Sequence, residues 1–128
     1  MWAVTVLTSS SESDLLKLGY KERLSLNQLV LNRAGLAEKS GCAGVVCSGK
    51  EVAVIKHTYG VGFKAVVPGI RPVWGEVKGD DQNRIVTPKN AISNGADFIV
   101  VGRPIRDASE PAVAAAKIVD EIESALVA

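Results

Sequence analysis

The fold is decided by Phe63-Lys-Ala-Val-Val-Pro-Gly-Ile-Arg-Pro72 and by its counterpart Gly95-Ala-Asp-Phe-Ile-Val-Val-Gly-Arg-Pro104. In each stretch a short apolar run ends in Gly and Arg next to Pro, which predicts a buried strand that gives way to a loop. Glycine lets the backbone approach a ligand closely. Arginine presents a planar fork of donors that suits phosphate or carboxylate. The two strand ends therefore predict a phosphate site, to which Gln82 on the intervening loop could donate an amide N–H.

Strands and helices alternate along the rest of the chain. We predict strands over residues 3–8, 43–47, 64–67 and 96–101. We predict helices over 14–18, 26–39 and 50–57, from Thr87-Pro88 to Gly95, and from Pro111 to the C-terminus. Ser25 and Ser48 are the expected N-caps of the second and third helices.

Near-continuous apolar strands that alternate with helices predict a parallel sheet covered by helices, built from four βα units in one domain, residues 1–128. Polar or glycine residues follow each predicted strand, and ligands bind at that edge of parallel α/β folds. The long polar loop 71–84 is expected to be a mobile functional loop rather than a linker.

Composition excludes several classes of function. A formal net charge of +1 and an aromatic content of 5% give no case for nucleic-acid binding. The chain has no run of about 18 apolar residues, so the sequence predicts no membrane span. The N-terminal residues resemble a strand more than a signal peptide. Cys42 and Cys47 are expected to be buried thiols of a cytoplasmic protein, and we expect neither a metal nor a cofactor.

Three further patterns have ordinary structural explanations. The segment Gly44 to Glu51 approaches a phosphate-binding P-loop, but Glu51 stands where a magnesium-binding hydroxyl is needed. The adjacent Asp80 and Asp81 are expected to be solvated carboxylates on a polar loop. Thr8 and Ser9 could contact a base or sugar, or could equally cap the turn that follows.

Together these segments resemble bacterial orotidine-5'-phosphate decarboxylase. The resemblance rests on motifs in the family's order and spacing along essentially the whole chain: Val4-Thr-Val-Leu-Thr-Ser9, Gly44-Val-Val-Cys-Ser48, Pro68-Gly-Ile-Arg-Pro72, Gly79-Asp-Asp-Gln-Asn-Arg-Ile-Val-Thr-Pro88 and Gly95 to Pro104. It implies a (β/α)8 TIM barrel, of which this chain is similar to the C-terminal half, strands five to eight with their helices.

The resemblance also implies a ligand and roles for particular residues. The family converts orotidine monophosphate to uridine monophosphate without metal or organic cofactor. By motif, Arg71, Gln82 and Arg103 would hold the phosphate, and the Gly102 backbone N–H would assist them. Thr8 corresponds to the position that contacts the pyrimidine, and Pro68 would pack beside that ring.

The family's catalytic array has no counterpart in these residues. That array includes an Asp-x-Lys-x-x-Asp motif from the first half of the barrel, and none of the six Asp residues here has Lys two positions later. A carboxylate and ammonium array of that kind stabilises the developing charge and supplies a proton. We therefore expect this chain to bind nucleotide without decarboxylating it.

An open half-barrel exposes strand edges and half of a barrel interior. Three outcomes remain open: a homo-oligomer that closes the barrel, pairing with the missing N-terminal half, or a different compact α/β arrangement. The first is our expectation. Alternative functions are a non-catalytic fragment whose property is folding or self-assembly, and a related sugar-phosphate-binding barrel.

Overall fold

The computed structural model describes residues 1–20, 24–75 and 79–127. Part of the loop 71–84, residues 76–78, lies outside the described residues. Four parallel strands form one sheet in the order β1-β2-β3-β4, with bounds β1 Trp2–Val4, β2 Gly44–Val46, β3 Lys64–Val67 and β4 Phe98–Ile99. The predicted parallel α/β fold is confirmed.

Six helices connect and follow the strands in the described residues. Their bounds are α1 Glu12–Lys17, α2 Leu26–Lys39, α3 Val52–Tyr59, α4 Pro88–Ser93, α5 Arg103–Arg106 and α6 Pro111–Leu126. The sequence predicted all of them except α5, because a single turn is too short to show helical periodicity.

Local capping explains where the helices begin. Ser25 accepts a hydrogen bond from the Gln28 N–H, and the Gln28 side chain accepts one from the Ser25 N–H, which forms a complete capping box. The predicted Ser48 cap is wrong, because α3 starts two residues later than expected and its N-cap is Glu51. Ser48 instead accepts from the Lys50 N–H in the turn before the helix.

The outer strands are shorter than predicted. β1 ends at Val4, and the following Thr5 directs both its N–H and its hydroxyl to the Val46 carbonyl, at 3.1 and 3.0 Å. Hydrogen bonds to β3 continue at both ends of β4: the Asp97 N–H donates to the Ala65 carbonyl just before the strand, and the Val100 N–H donates to the Val67 carbonyl just after it. The apolar runs therefore extend past the regular ladder.

One face of the sheet is covered by helices and the other is open. Val45, Ala65 and Val67 point to the covered face and are fully buried. On the other face the strand register aligns Val4, Val46, Val66 and Phe98 in one row. Val4 is 58% exposed and Phe98 is 54% exposed, so this row has no cover in the described part of the chain.

Strand order and one-sided cover together define the architecture. A doubly wound sheet reverses its strand order and carries helices on both faces. Here the order never reverses and only one face is covered, as in a barrel wall, where helices surround the strands. The chain is half of a (β/α)8 barrel with its would-be interior exposed.

The edge of the sheet where the strands begin holds a structural ion cluster. Asp97, just before β4, accepts hydrogen bonds from the Lys64 ammonium at 2.9 Å, from the Lys56 ammonium, and from the Ala65 N–H at 2.9 Å. Burial opposes ionisation of Asp97, but these hydrogen bonds prevail and lower its pKa to about 2. The cluster ties β3, β4 and α3 together at the end opposite the predicted site.

None of the helices in the described ranges has the length and apolar character needed to cross a bilayer. Cys47 is buried, as expected, whereas Cys42 is only partly buried; both are free thiols. Burial raises the pKa of the Cys47 thiol to about 12, which makes it chemically inert at neutral pH.

Candidate functional site

The predicted phosphate residues meet at the carboxyl edge of the sheet. Arg71 follows β3, Arg103 opens α5 after the three residues that follow β4, and the segment 79–84 lies beside both. This is the edge at which parallel α/β folds bind ligands.

Arg71 is held firmly at this edge. Its N–H donates to the Val86 carbonyl at 2.9 Å, and its Nη1 donates to the Ile70 carbonyl at 2.8 Å. Its Nε and Nη2 form a two-pronged ion pair with the Asp80 carboxylate, and the Nη2–Oδ1 distance is 2.8 Å. Only 11% of its side chain is exposed, so its guanidinium orientation is fixed by packing as well as by charge.

Arg103 reaches the same carboxylate from the other side. Its Nη2 donates to Asp80 Oδ1 at 3.0 Å and to Asp81 Oδ1 at 2.6 Å. The preceding Gly102 is exposed, and a Cβ placed there would meet nothing within 4 Å. Open space therefore lies in front of the Gly102 backbone.

The expectation that Asp80 and Asp81 are merely solvated is wrong. The hydrogen bond from Arg71 lowers the pKa of Asp80 to about 2, and the hydrogen bond from Arg103 lowers the pKa of Asp81. The signal was available in the sequence: two arginines expected at one sheet edge leave positive charge that nearby carboxylates on the connecting loop can neutralise.

Gln82 links the arginine cluster to the first strand. Its N–H donates to Asp80 Oδ1 at 3.1 Å, and its side-chain carbonyl accepts a hydrogen bond from the Thr8 hydroxyl. The Thr8 carbonyl in turn accepts from the N–H groups of Asn83 and Arg84, both at 3.2 Å. Thr8 therefore neither caps the turn after β1 nor stands alone; it joins the loop that carries Gln82.

A small apolar cavity lies next to this contact. It measures about 60 Å³ and is lined by Val4, Val6, Leu7, Thr8, Val46, Cys47 and Pro68. Because Val4 and Val46 also belong to the open sheet face, the cavity lies at the carboxyl end of that face. Thr8 and Pro68, the two residues predicted to contact a pyrimidine, thus line one pocket.

Gly69 is required where it stands. Its φ of 72° is in the left-handed region, and a Cβ there would lie 3.2 Å from the Arg84 carbonyl and 3.7 Å from the Thr8 Cβ. A side chain at this position would push the Gln82 loop away from the strand end.

Sequence reasoning missed the buried anchor of that loop. Arg84 donates to Glu51 Oε1 and to the carbonyls of Val6 and Leu7, at 2.8 and 2.9 Å. Glu51 Oε2 accepts from the Ser48 N–H at 3.0 Å, and the side chains of both ion-pair partners are at least 93% buried. Burial raises the pKa of the Glu51 carboxyl, and Arg84 offsets this only in part. The sequence does contain one hint that this arginine is buried: Arg84 directly precedes the apolar residues Ile85 and Val86.

No group of three or more His, Cys, Asp or Glu side chains in residues 1–20, 24–75 and 79–127 is arranged to hold a metal ion. The chemistry that the carboxyl edge offers is hydrogen bonding to an anion by guanidinium and amide groups, beside an apolar pocket.

The fold and this edge define the class of protein: half of a TIM barrel with an arginine-rich carboxyl edge. The family model "Orotidine 5'-phosphate decarboxylase / HUMPS family" matches residues 1–118, and the chain belongs to that family. This confirms the resemblance drawn from the motifs.

Curated relatives carry the same description. The chain is 53% identical over 125 residues to the orotidine 5'-phosphate decarboxylase of Desulfosudis oleivorans, an alignment that covers 96% of this chain and 50% of the relative. It is 51% identical over 123 residues to that of Rhodopseudomonas palustris, with 96% and 51% covered. The chain therefore spans about half the length of the curated relatives it matches.

Solved structures agree with the fold. The crystal structure of orotidine 5'-phosphate decarboxylase from Lactobacillus acidophilus superposes with a TM-score of 0.74 at 40% identity, covering 94% of this chain and 48% of that one. An uncharacterized conserved protein from Geobacillus kaustophilus gives a TM-score of 0.71 at 36% identity, with 94% and 47% covered.

Proposed function

We propose that this chain is the phosphate- and pyrimidine-binding half of an orotidine-5'-phosphate decarboxylase, corresponding to strands five to eight and forming one domain over residues 1–128. One observation carries the proposal: the Arg71 and Arg103 guanidinium groups and the Gln82 backbone N–H all donate to a single carboxylate at the carboxyl edge of the sheet. Groups that converge on one anion in this way are suited to a phosphate.

The nucleotide would lie along the edge from β4 towards β1. Arg71, Gln82, Arg103 and the Gly102 N–H would hold the phosphate of orotidine or uridine monophosphate. Thr8 and Pro68 would flank the pyrimidine at the apolar cavity. The hydrogen bond from Thr8 to Gln82 supports a common site, because it connects the two ends of this path.

Binding without decarboxylation is expected of these residues alone. The Asp and Lys array that serves the reaction in the family has no counterpart in their sequence. Relatives at 46–53% identity carry the decarboxylase name, which supports this assignment over a barrel for other sugar phosphates.

Calorimetric titration with uridine monophosphate tests the site. Replacing Arg103 by Ala should cost on the order of 1.5–3 kcal/mol of binding free energy, the value of a charge-assisted contact. Arg106→Ala is the matched control, because it removes the same charge from the same short helix, where Arg106 pairs only with its neighbour Asp107 among the described residues. Equal affinity for the two variants would contradict the phosphate assignment.

Loss of orotidine monophosphate absorbance tests the second half of the proposal. The purified chain should show no turnover above background. Turnover that survives Arg103→Ala would come from a contaminant or from a different site, whereas turnover that disappears with Arg103 would show that the chain is catalytic by itself.

We also propose that the open sheet face is covered by four further βα units, supplied by a second copy of this chain or by an N-terminal half like that of the relatives. Trp2, Val4, Phe98 and Val100 are each between 44% and 58% exposed on or beside this face. Trp2 and Phe98 already pack edge to face across it, with ring centroids 5.9 Å apart. Leaving such an apolar face in water is costly.

Light scattering of the purified chain tests self-association. The expected result is a dimer or larger species at micromolar concentration, and Phe98→Glu should shift the equilibrium towards monomer. A monomeric mass together with cooperative unfolding would contradict it.

The two free thiols fit a cytoplasmic location, which is also part of this proposal.

A further inference from the structure

The candidate phosphate site already contains an anion, and that anion belongs to the protein. Asp80 Oδ1 accepts from Arg71 Nη2 at 2.8 Å, from Arg103 Nη2 at 3.0 Å and from the Gln82 N–H at 3.1 Å, while Oδ2 accepts from Arg71 Nε. Both guanidinium groups proposed to bind phosphate thus donate to this carboxylate, and Gln82 adds its backbone N–H, while the Gln82 side chain faces Thr8 and Asp81.

These contacts leave Arg71 little capacity for a second partner. Its Nε and Nη2 point to Asp80 and its Nη1 to the Ile70 carbonyl. Carboxylate and phosphate use the same two-pronged geometry on a guanidinium. A nucleotide phosphate and the Asp80 carboxylate therefore compete for one set of donors.

We propose that Asp80 is an internal occupant of the phosphate site, so that a nucleotide binds by exchange with its carboxylate. The inference rests on the proposed function. Asp80 then governs affinity, because part of each new contact with phosphate replaces an existing contact with carboxylate. A phosphate dianion has a larger charge and more acceptor oxygens than one carboxylate, so it can win this exchange.

Asp81 provides a natural comparison. It carries the same charge on the adjacent residue, accepts from Arg103 Nη2 at 2.6 Å and accepts from the Gln82 side-chain amide at 3.5 Å. Its side chain is 67% exposed, against 22% for Asp80, and it makes no hydrogen bond to Arg71 among the described residues. Removing its charge changes the local potential without vacating the point at which the three donors meet.

A purely structural role for Asp80 makes the opposite prediction. If the carboxylate only holds the two guanidinium groups together, its removal lets them repel each other and spreads the site. Phosphate would then bind more weakly to a variant that lacks the carboxylate.

The experiment is calorimetric titration of the full 128-residue chain with uridine monophosphate and with inorganic phosphate. Asp80→Asn should tighten binding of both about tenfold, the equivalent of one charge-assisted contact. Asp80→Ala should also tighten it, and Asp81→Asn should change it by less than about threefold. Unchanged or weaker binding to both Asp80 variants overturns the inference.

Arg71→Ala separates this outcome from failure of the proposed function. If Arg71→Ala binds uridine monophosphate as well as the original chain does, the phosphate site itself is wrong. If Arg71→Ala loses affinity while Asp80→Asn gains none, the site stands and the exchange does not. Thermal unfolding without ligand verifies that each variant is folded, and the shift caused by phosphate gives a second measure that should be larger for Asp80→Asn than for the original chain.

Discussion

Two arginine–carboxylate clusters lie at the same edge of the sheet and differ in burial. Glu51 and Arg84 are almost completely buried and bind the backbone of two other segments, at Ser48 and at Val6-Leu7. Asp80, Arg71 and Arg103 keep between 11% and 26% of their side chains exposed, and they form ion pairs with one another, while Arg103 also pairs with the exposed Asp81. The same chemistry thus serves two purposes.

The two clusters differ in whether water can take the place of a lost ion-pair partner. A buried ion pair has no solvent to take over when one partner is lost, so it holds its segments in a fixed arrangement. A partly exposed pair is weaker, so a ligand anion can displace its carboxylate, although the contacts that it replaces reduce the affinity. We infer that Glu51–Arg84 fixes the framework and that the outer cluster is where a ligand enters.

The largest expected effect comes from breaking the buried pair. Arg84→Met leaves Glu51 buried without a partner and should lower the free energy of unfolding by about 3–5 kcal/mol. Chemical denaturation measures it. The double variant Glu51→Leu with Arg84→Met should recover much of the loss, since no charge is then left unpaired. A loss under about 1 kcal/mol for the single variant, the value typical of an exposed pair, would contradict the comparison.

Arg71→Ala tests the outer cluster, where we expect a loss of binding instead of a loss of stability. It should weaken uridine monophosphate binding by about 1.5–3 kcal/mol, because a two-pronged contact is lost. Its effect on unfolding should be smaller than that of Arg84→Met. A variant that unfolds as easily as Arg84→Met, with unchanged affinity, would place Arg71 in the framework instead.

Acid should weaken the fold through Asp97 and Asp80. Each has a pKa lowered to about 2, so each contributes stability that is complete above its unfolded pKa, near 3.8, and is lost as the pH falls towards 2. Unfolding curves between pH 5 and pH 2 check this. Asp97→Asn should flatten part of that decline, and an unchanged slope would show that Asp97 does not contribute.

The smallest expected effect is that of Asp81→Asn on stability. The side chain is two-thirds exposed, and an ion pair of this kind contributes less than about 1 kcal/mol. Thermal unfolding measures the change. A loss as large as that of Arg84→Met would mean that the outer cluster also supports the framework.

Sequence reasoning predicted the fold well because the helices and strands of this fold are specified by local signals. Apolar runs, the Ser25 cap and the Thr87-Pro88 start each act over a few residues, and the structure confirms them. It failed where a partner is distant in the chain. Arg84 meets Glu51 across 33 positions and Thr8 meets Gln82 across 74, and no local pattern specifies such pairs.

The outer cluster shows the same limit. Motifs selected Arg71, Gln82 and Arg103, and the structure brings them together. The carboxylate they share was overlooked, since two adjacent acids on a polar loop are ordinarily solvated. Its importance depends on the positions of β3 and β4, which place the two arginines side by side.

A crystal structure of the chain with uridine monophosphate tests the central claim most directly. We expect the phosphate between Arg71 and Arg103, bonded also to Gln82, with the Asp80 carboxylate displaced from both guanidinium groups. A phosphate bound elsewhere, with Asp80 still paired to both arginines, would contradict it.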